Sequence, residues 1–119
     1  VTSTITDIDG TPALLCAPDG PPLGTPQDAV DLIGDAAGLG AELVVIPTSR
    51  LADGFLTLRT RIAGEFTDKF VGYRVPLVIV GDISADLAAS DTLAAYVRES
   101  NRAGHVRYVP DLAALNRST

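Results

Sequence analysis

The chain is 119 residues long, 46% hydrophobic and 20% charged, with a mean hydropathy of +0.26 and a net charge of −6. That is enough chain for one α/β domain over residues 1–119 with a buried core, too apolar for disorder, and without the ~18–20-residue apolar run of a membrane span. One cysteine, Cys16, excludes an internal disulfide, and with one histidine, His105, it argues against a protein-only zinc site, which takes about four such ligands.

Thr4-Ile5-Thr6-Asp7-Ile8 alternates and is rich in β-formers. Asp9-Gly10 suits a type I′ turn, so Ala13–Cys16 reads as the return strand of a hairpin. Residues 17–24 carry three prolines and two glycines and predict a surface loop, a connector or a lid. Thr25-Pro26-Gln27-Asp28 is a helix start: a hydroxyl cap, proline at the first helical position and an acid in the first turn. The expected buried side is Ala29, Val30, Leu32, Ile33, Ala36 and Ala37, and the helix ends at Gly38 and Gly40.

Leu43–Ile46 is an unbroken apolar run, as in a covered parallel strand, followed by a loop over residues 47–54. Phe55, Leu58, Ile62, Phe66 and Phe70 recur at three- and four-residue steps and predict an amphipathic helix, with Glu65 and Lys69 as an i,i+4 pair. Leu77–Val80 is a second covered strand. A helical region follows over residues 84–102, with an interruption near Ser90-Asp91 and a stop at Gly104. Val106–Val109 is the last strand, and Asp111 opens a short terminal helix at residues 112–115. After the hairpin, strands alternate with helices, which predicts an α/β fold with a mostly parallel sheet.

The charge is uneven: residues 1–49 hold seven acids and no lysine or arginine, and the remainder holds eight acids and nine bases. Such a chain repels phosphate backbones, so nucleic acid is not an expected partner, and neither is a membrane. The acidic half is a solubilising face or a surface for a basic partner. The first residues lack a basic start and apolar stretch, which with the cysteine usage fits a cytoplasmic protein.

Two resemblances refine this reading. The stretch Phe55-x-x-Leu58-x-x-x-Ile62-Ala63-Gly64-Glu65-x-x-x-Lys69-Phe70-x-x-Tyr73, then Leu77-x-Ile79-Val80-Gly81-Asp82, resembles the bacterial family called domain of unknown function 4180, as does Glu99-x-Asn101 with Gly104. The order of elements, with Val80-Gly81-Asp82 and Val106-Arg107-Tyr108, is also similar to the STAS and SpoIIAA-like domains. That second resemblance implies a binding module acting through protein contacts, switched in its best-known branch by serine phosphorylation. Here the place of the Asp-Ser-Ser-like signature reads Asp53-Gly54-Phe55, and Thr48 and Ser49 are the nearest hydroxyls. A phosphate on Ser49 would add about −2 charge.

In parallel sheets, ligands gather beyond the carboxyl ends of the strands, which selects Thr48, Ser49 and Arg50 after one strand and Asp82 and Ser84 after the next. For Asp82 and Ser84, capping the next helix is the commoner role. Gly64 inside a helix points to close packing; Glu65 is an acid–base candidate if buried and otherwise pairs with Lys69. Arg59, Arg61, Arg98 and Arg102 form an anion site if their helices adjoin, and Asn101 either meets a ligand or satisfies backbone groups. Walker, Gly-x-Gly-x-x-Gly and Gly-x-Ser-x-Gly motifs are absent, so no catalytic residue, metal or cofactor is assigned. The expected function is a non-catalytic module binding a partner protein or itself, through a face such as the Phe55–Tyr73 helix. The alternative is a small-molecule binder or small enzyme with a pocket at the strand ends, drawing on Ser49, Arg59, Glu65, Asp82 and Asn101.

Overall fold

The computed structural model describes residues 4–113. Thr4–Ile8 (β1) and Thr11–Leu15 (β2) form the expected hairpin, with Asp9 at φ +53° and Gly10 at φ +86°, the signs a type I′ turn needs. Then follow Pro26–Leu39 (α1), Leu43–Pro47 (β3), Ile62–Gly72 (α2), Leu77–Val80 (β4), Ser84–Ala89 (α3), Asp91–Ala103 (α4) and Val106–Val109 (β5). The sheet runs β1-β2-β3-β4-β5, antiparallel in the first pair and parallel in the other three. Among the described residues, no helix is long and apolar enough to cross a membrane. The short helix expected at residues 112–115 lies partly outside the described residues.

Each crossover advances by one strand, so crossovers of one hand put the helices on the same face. The main core shows this. Leu14, Val44, Ile46, Leu77, Ile79 and Tyr108 from the sheet meet Ala29, Ile33, Phe66, Phe70, Leu93 and Val97 from the helices. Side chains alternate across a strand, so Ile8, Ala13, Leu43, Val45 and Val78 form a second, smaller cluster on the other face.

The helix ends follow local chemistry. The Thr25 hydroxyl accepts a hydrogen bond from the Asp28 N–H, while the Asp28 carboxylate accepts from the Thr25 and Gly24 N–H groups. Partial burial pushes the Asp28 carboxyl upward, but these bonds and the Arg50 charge outweigh it and hold it below the usual range. The stability it contributes is therefore complete above about pH 4, its unfolded value, and is lost as pH falls through the folded value. The helix passes through Gly38 and stops at Gly40, in the left-handed region, where the Ala41 N–H reaches back to the Ala36 carbonyl. Ser90 caps α4 and divides it from α3; Gly104 ends it.

One expected element is different. The helix predicted from Phe55 begins only at Ile62. Gly54 has φ +83°, Arg61 has φ +64°, and the Thr60 hydroxyl donates to the Gly54 and Thr57 carbonyls, so residues 54–61 form turns and one 3-10 turn. This path still delivers Phe55 to the core, edge-on to Phe66 with centroids 5.5 Å apart. The apolar spacing thus arises without a continuous helix. The expectation for Gly64 is also corrected, because a Cβ there would meet nothing within 4 Å. The same holds for Gly34, exposed in the middle of α1. Gly34→Ala should therefore stabilise the fold by about 0.5–1 kcal/mol through helix propensity, read as a rise in the thermal midpoint. A fall would show that α1 needs the bare backbone there.

Candidate functional site

The carboxyl ends of β2 to β5 lie along one side of the sheet. After β3, Arg50 is buried, and its Nε and Nη1 donate to the Pro21 and Ala17 carbonyls at 2.9 and 3.0 Å. The Ser49 hydroxyl donates to the Pro18 carbonyl at 2.8 Å. The Leu23 N–H reaches the Arg50 carbonyl and the Ala52 N–H reaches the Leu23 carbonyl, which closes a one-residue parallel bridge. A segment with three prolines has few donors of its own, so its carbonyls take donors from residues 49–52. The loop at residues 17–24 is thus tied down. Gly24 also lies where a Cβ would come within 2.8 Å of the Ala52 Cβ.

Beyond β4, Gly81 has φ +153° and lies against the Thr48 side chain. The Asp82 carboxylate accepts from the Ser84 N–H at 2.9 Å. Bonds from the Ser84 side chain and backbone lower the Asp82 carboxyl from its ordinary value. The expected capping role is not met: the residue at the N-cap of α3 is Ile83, no side chain caps the helix, and the Asp82 carboxylate closes a turn on Ser84 instead.

Asn101, at the end of α4, works as a substitute strand. Its amide nitrogen donates to the Tyr108 carbonyl at 3.1 Å, and its oxygen accepts from the Tyr108 N–H at 2.7 Å. The Ser100 hydroxyl donates to the Val106 carbonyl. The Val106 carbonyl and both backbone groups of Tyr108 on the β5 edge are thus satisfied by side chains. Asn101→Leu should cost about 1–3 kcal/mol by leaving Tyr108 backbone groups unpaired, with faster amide exchange at Tyr108. Asn101→Asp, which keeps the acceptor but loses the donor, should fall between. Equal exchange rates in all three proteins would refute this role.

Asp82, Ser84 and Asn101 line one cleft of about 250 Å³ with Leu87, Val97 and Tyr108. The Tyr108 hydroxyl is buried and has no hydrogen-bond partner. Burial, with Tyr96 packed edge-on at 6.2 Å, pushes its ionisation upward, so it stays a neutral phenol. A second cavity, of about 320 Å³ between the β3 and β4 ends, is lined by Asp53, Asp82 and Asp86 with Thr48 and Thr57. Carboxylates around such a space disfavour an anionic occupant.

The other sequence candidates lie apart. Phe55 is 1% exposed, so it is a core residue and cannot present itself to a partner; its aromatic bulk is what brings it inside. Arg59 is exposed in a shallow cavity with Asp86, Ser90 and Thr92. Arg102 pairs with Glu99 at 2.8 Å on the outside of α4. Glu65 and Lys69 line a groove along the outer face of α2 and do not form the expected ion pair. The His105 Nε2 lies 3.1 Å from the Phe70 carbonyl, which can only accept, so that nitrogen carries the proton. Cys16 is buried at the end of β2. Sequence reasoning missed the braces made by Arg50 and the Gly81–Thr48 contact. A donor-poor proline loop was the signal for the first, and the second had none.

A family model described as "Domain of unknown function (DUF4180)" matches residues 8–118. No curated protein and no solved structure matches the chain.

Proposed function

From the premise that the chain belongs to the DUF4180 family, we propose that it is a non-catalytic, STAS-like binding and regulatory module that acts through protein contacts. One observation carries the reading. Leu39 at the end of α1 and Val71 and Tyr73 at the end of α2 are 58%, 51% and 61% exposed, although they are large and apolar. Two parallel crossovers bring both helices to an end at the same side of the sheet. Large apolar groups left exposed at that side fit a contact surface. The polar groups at the opposite end support the same reading, because Arg50, Ser49 and Asn101 hydrogen-bond the backbone of their own fold. A phosphate on Ser49 would displace its bond to Pro18 and loosen the proline loop, which gives the regulatory part of the proposal a physical route.

The alternative of a small-molecule site rests on the convergence of Asp82, Ser84 and Asn101 on one cleft beyond the parallel strands. Native mass spectrometry of the protein purified gently from its own host separates the two. A retained protein, lost on Tyr73→Glu without a change in thermal midpoint, supports the module. A retained small molecule with no protein replaces it by the alternative.

A further inference from the structure

The two edges of the sheet are treated differently. On β5 the outward Val106 carbonyl is bonded to Ser100, and the outward N–H and carbonyl of Tyr108 are bonded to Asn101. On β1 the pattern follows from the hairpin. Ile8 pairs with Thr11 beside a two-residue turn, and Asp7 stands opposite Pro12, which has no N–H. Bonded pairs alternate along an antiparallel ladder, so Thr4, Thr6 and Ile8 bond β2, while the N–H and C=O of Ile5 and Asp7 point away from the sheet. Alternation also puts the Ile5 and Asp7 side chains on one face. Ile5 is 44% exposed, and one Asp7 oxygen accepts from the Gly10 N–H.

An open strand edge is a template for another strand. Its charge says which kind. The strand and its turn carry Asp7 and Asp9 and no lysine or arginine. A second copy pairing edge to edge would bring two such acidic strands together, which like-charge repulsion opposes. We propose that β1 is a docking edge for an extended basic segment of a partner protein, added antiparallel as a sixth strand. The segment carries an apolar residue opposite Ile5 and a lysine or arginine opposite Asp7, two positions apart. The proposal rests on the reading that the protein works through protein contacts, and it names the surface and chemistry of one partner.

The test uses the intact protein and a labelled peptide, Thr-Val-Thr-Lys-Thr-Val-Thr-Lys-Thr, followed by fluorescence anisotropy and hydrogen exchange. Binding is expected with protection of the Ile5 and Asp7 amides. Methylating the Val and Lys nitrogens should weaken it at least about tenfold, while methylating Thr nitrogens in equal number should not. Asp7→Asn, which keeps an acceptor for Gly10, should weaken it about two- to fivefold at low salt. Equal binding of both methylated peptides, or no binding, overturns the docking edge. A partner retained from the host that protects Val71 and Tyr73 and leaves β1 unprotected also overturns it, while leaving the protein-contact reading in place. Retention of a small molecule without a protein partner overturns that reading itself.

Discussion

Gly81→Ala is expected to lower folding stability by about 3 kcal/mol or more, the largest loss from adding a single methyl group to this chain. Two costs coincide there. The backbone is at φ +153°, a region essentially reserved for glycine. A Cβ would also lie 2.7 Å from the Thr48 Cγ2 and 2.9 Å from its Cβ. Thr48 cannot turn away from the second contact, because its own Cβ is fixed by the backbone that follows β3. Urea unfolding measures the loss. Combining Gly81→Ala with Thr48→Gly separates the terms: the steric part should be recovered and the backbone strain should remain. A loss below about 1 kcal/mol for the single variant would mean that the β3 and β4 ends can part cheaply, and the cleft beyond β4 would then be deformable.

The second large effect is at Arg50. Arg50→Met keeps most of the aliphatic stem and removes the two hydrogen bonds to Ala17 and Pro21. Bonds from a charged donor are worth about 1.5–3 kcal/mol each, but removing a buried charge returns part of its desolvation cost, so the expected net loss is about 2–3 kcal/mol. The effect should be local as well as global. Residues 17–22 should become sensitive to limited proteolysis before the protein unfolds, because only the Ser49 bond and the Leu23 bridge would still hold the loop. Arg50→Lys keeps the charge without the fork and should recover one bond at most. If Arg50→Met leaves both the loop and the urea midpoint unchanged, the proline segment supports itself and the brace is incidental.

Legibility in the sequence tracked the distance between interacting residues. The Asp9-Gly10 turn, the Thr25-to-Asp28 cap, the Ser90 break and the Gly104 stop each depend on groups within about four residues of one another, and each was readable in one dimension. The span from Phe55 to Arg61 was misread because a 3-10 turn between two positive-φ residues places apolar groups inward at nearly helical intervals. Gly64 suggested close packing, yet its neighbourhood is open, whereas Gly81 has a tight one that its sequence neighbours did not announce.

The candidate site divides along the same line. From the order of strands and helices alone, the parallel sheet is determined, and with it the side of the sheet where Ser49, Arg50, Asp82 and Ser84 must emerge. What those side chains do there was decided in three dimensions. Arg50 meets carbonyls 29 and 33 residues away, Ser49 one 31 residues away, and Asn101 closes an edge strand that exists only once β5 has joined the sheet. Local propensity acts through neighbouring backbone groups and is written in the chain. The partner of a long polar side chain depends on which unpaired donor or acceptor the completed fold leaves within its reach.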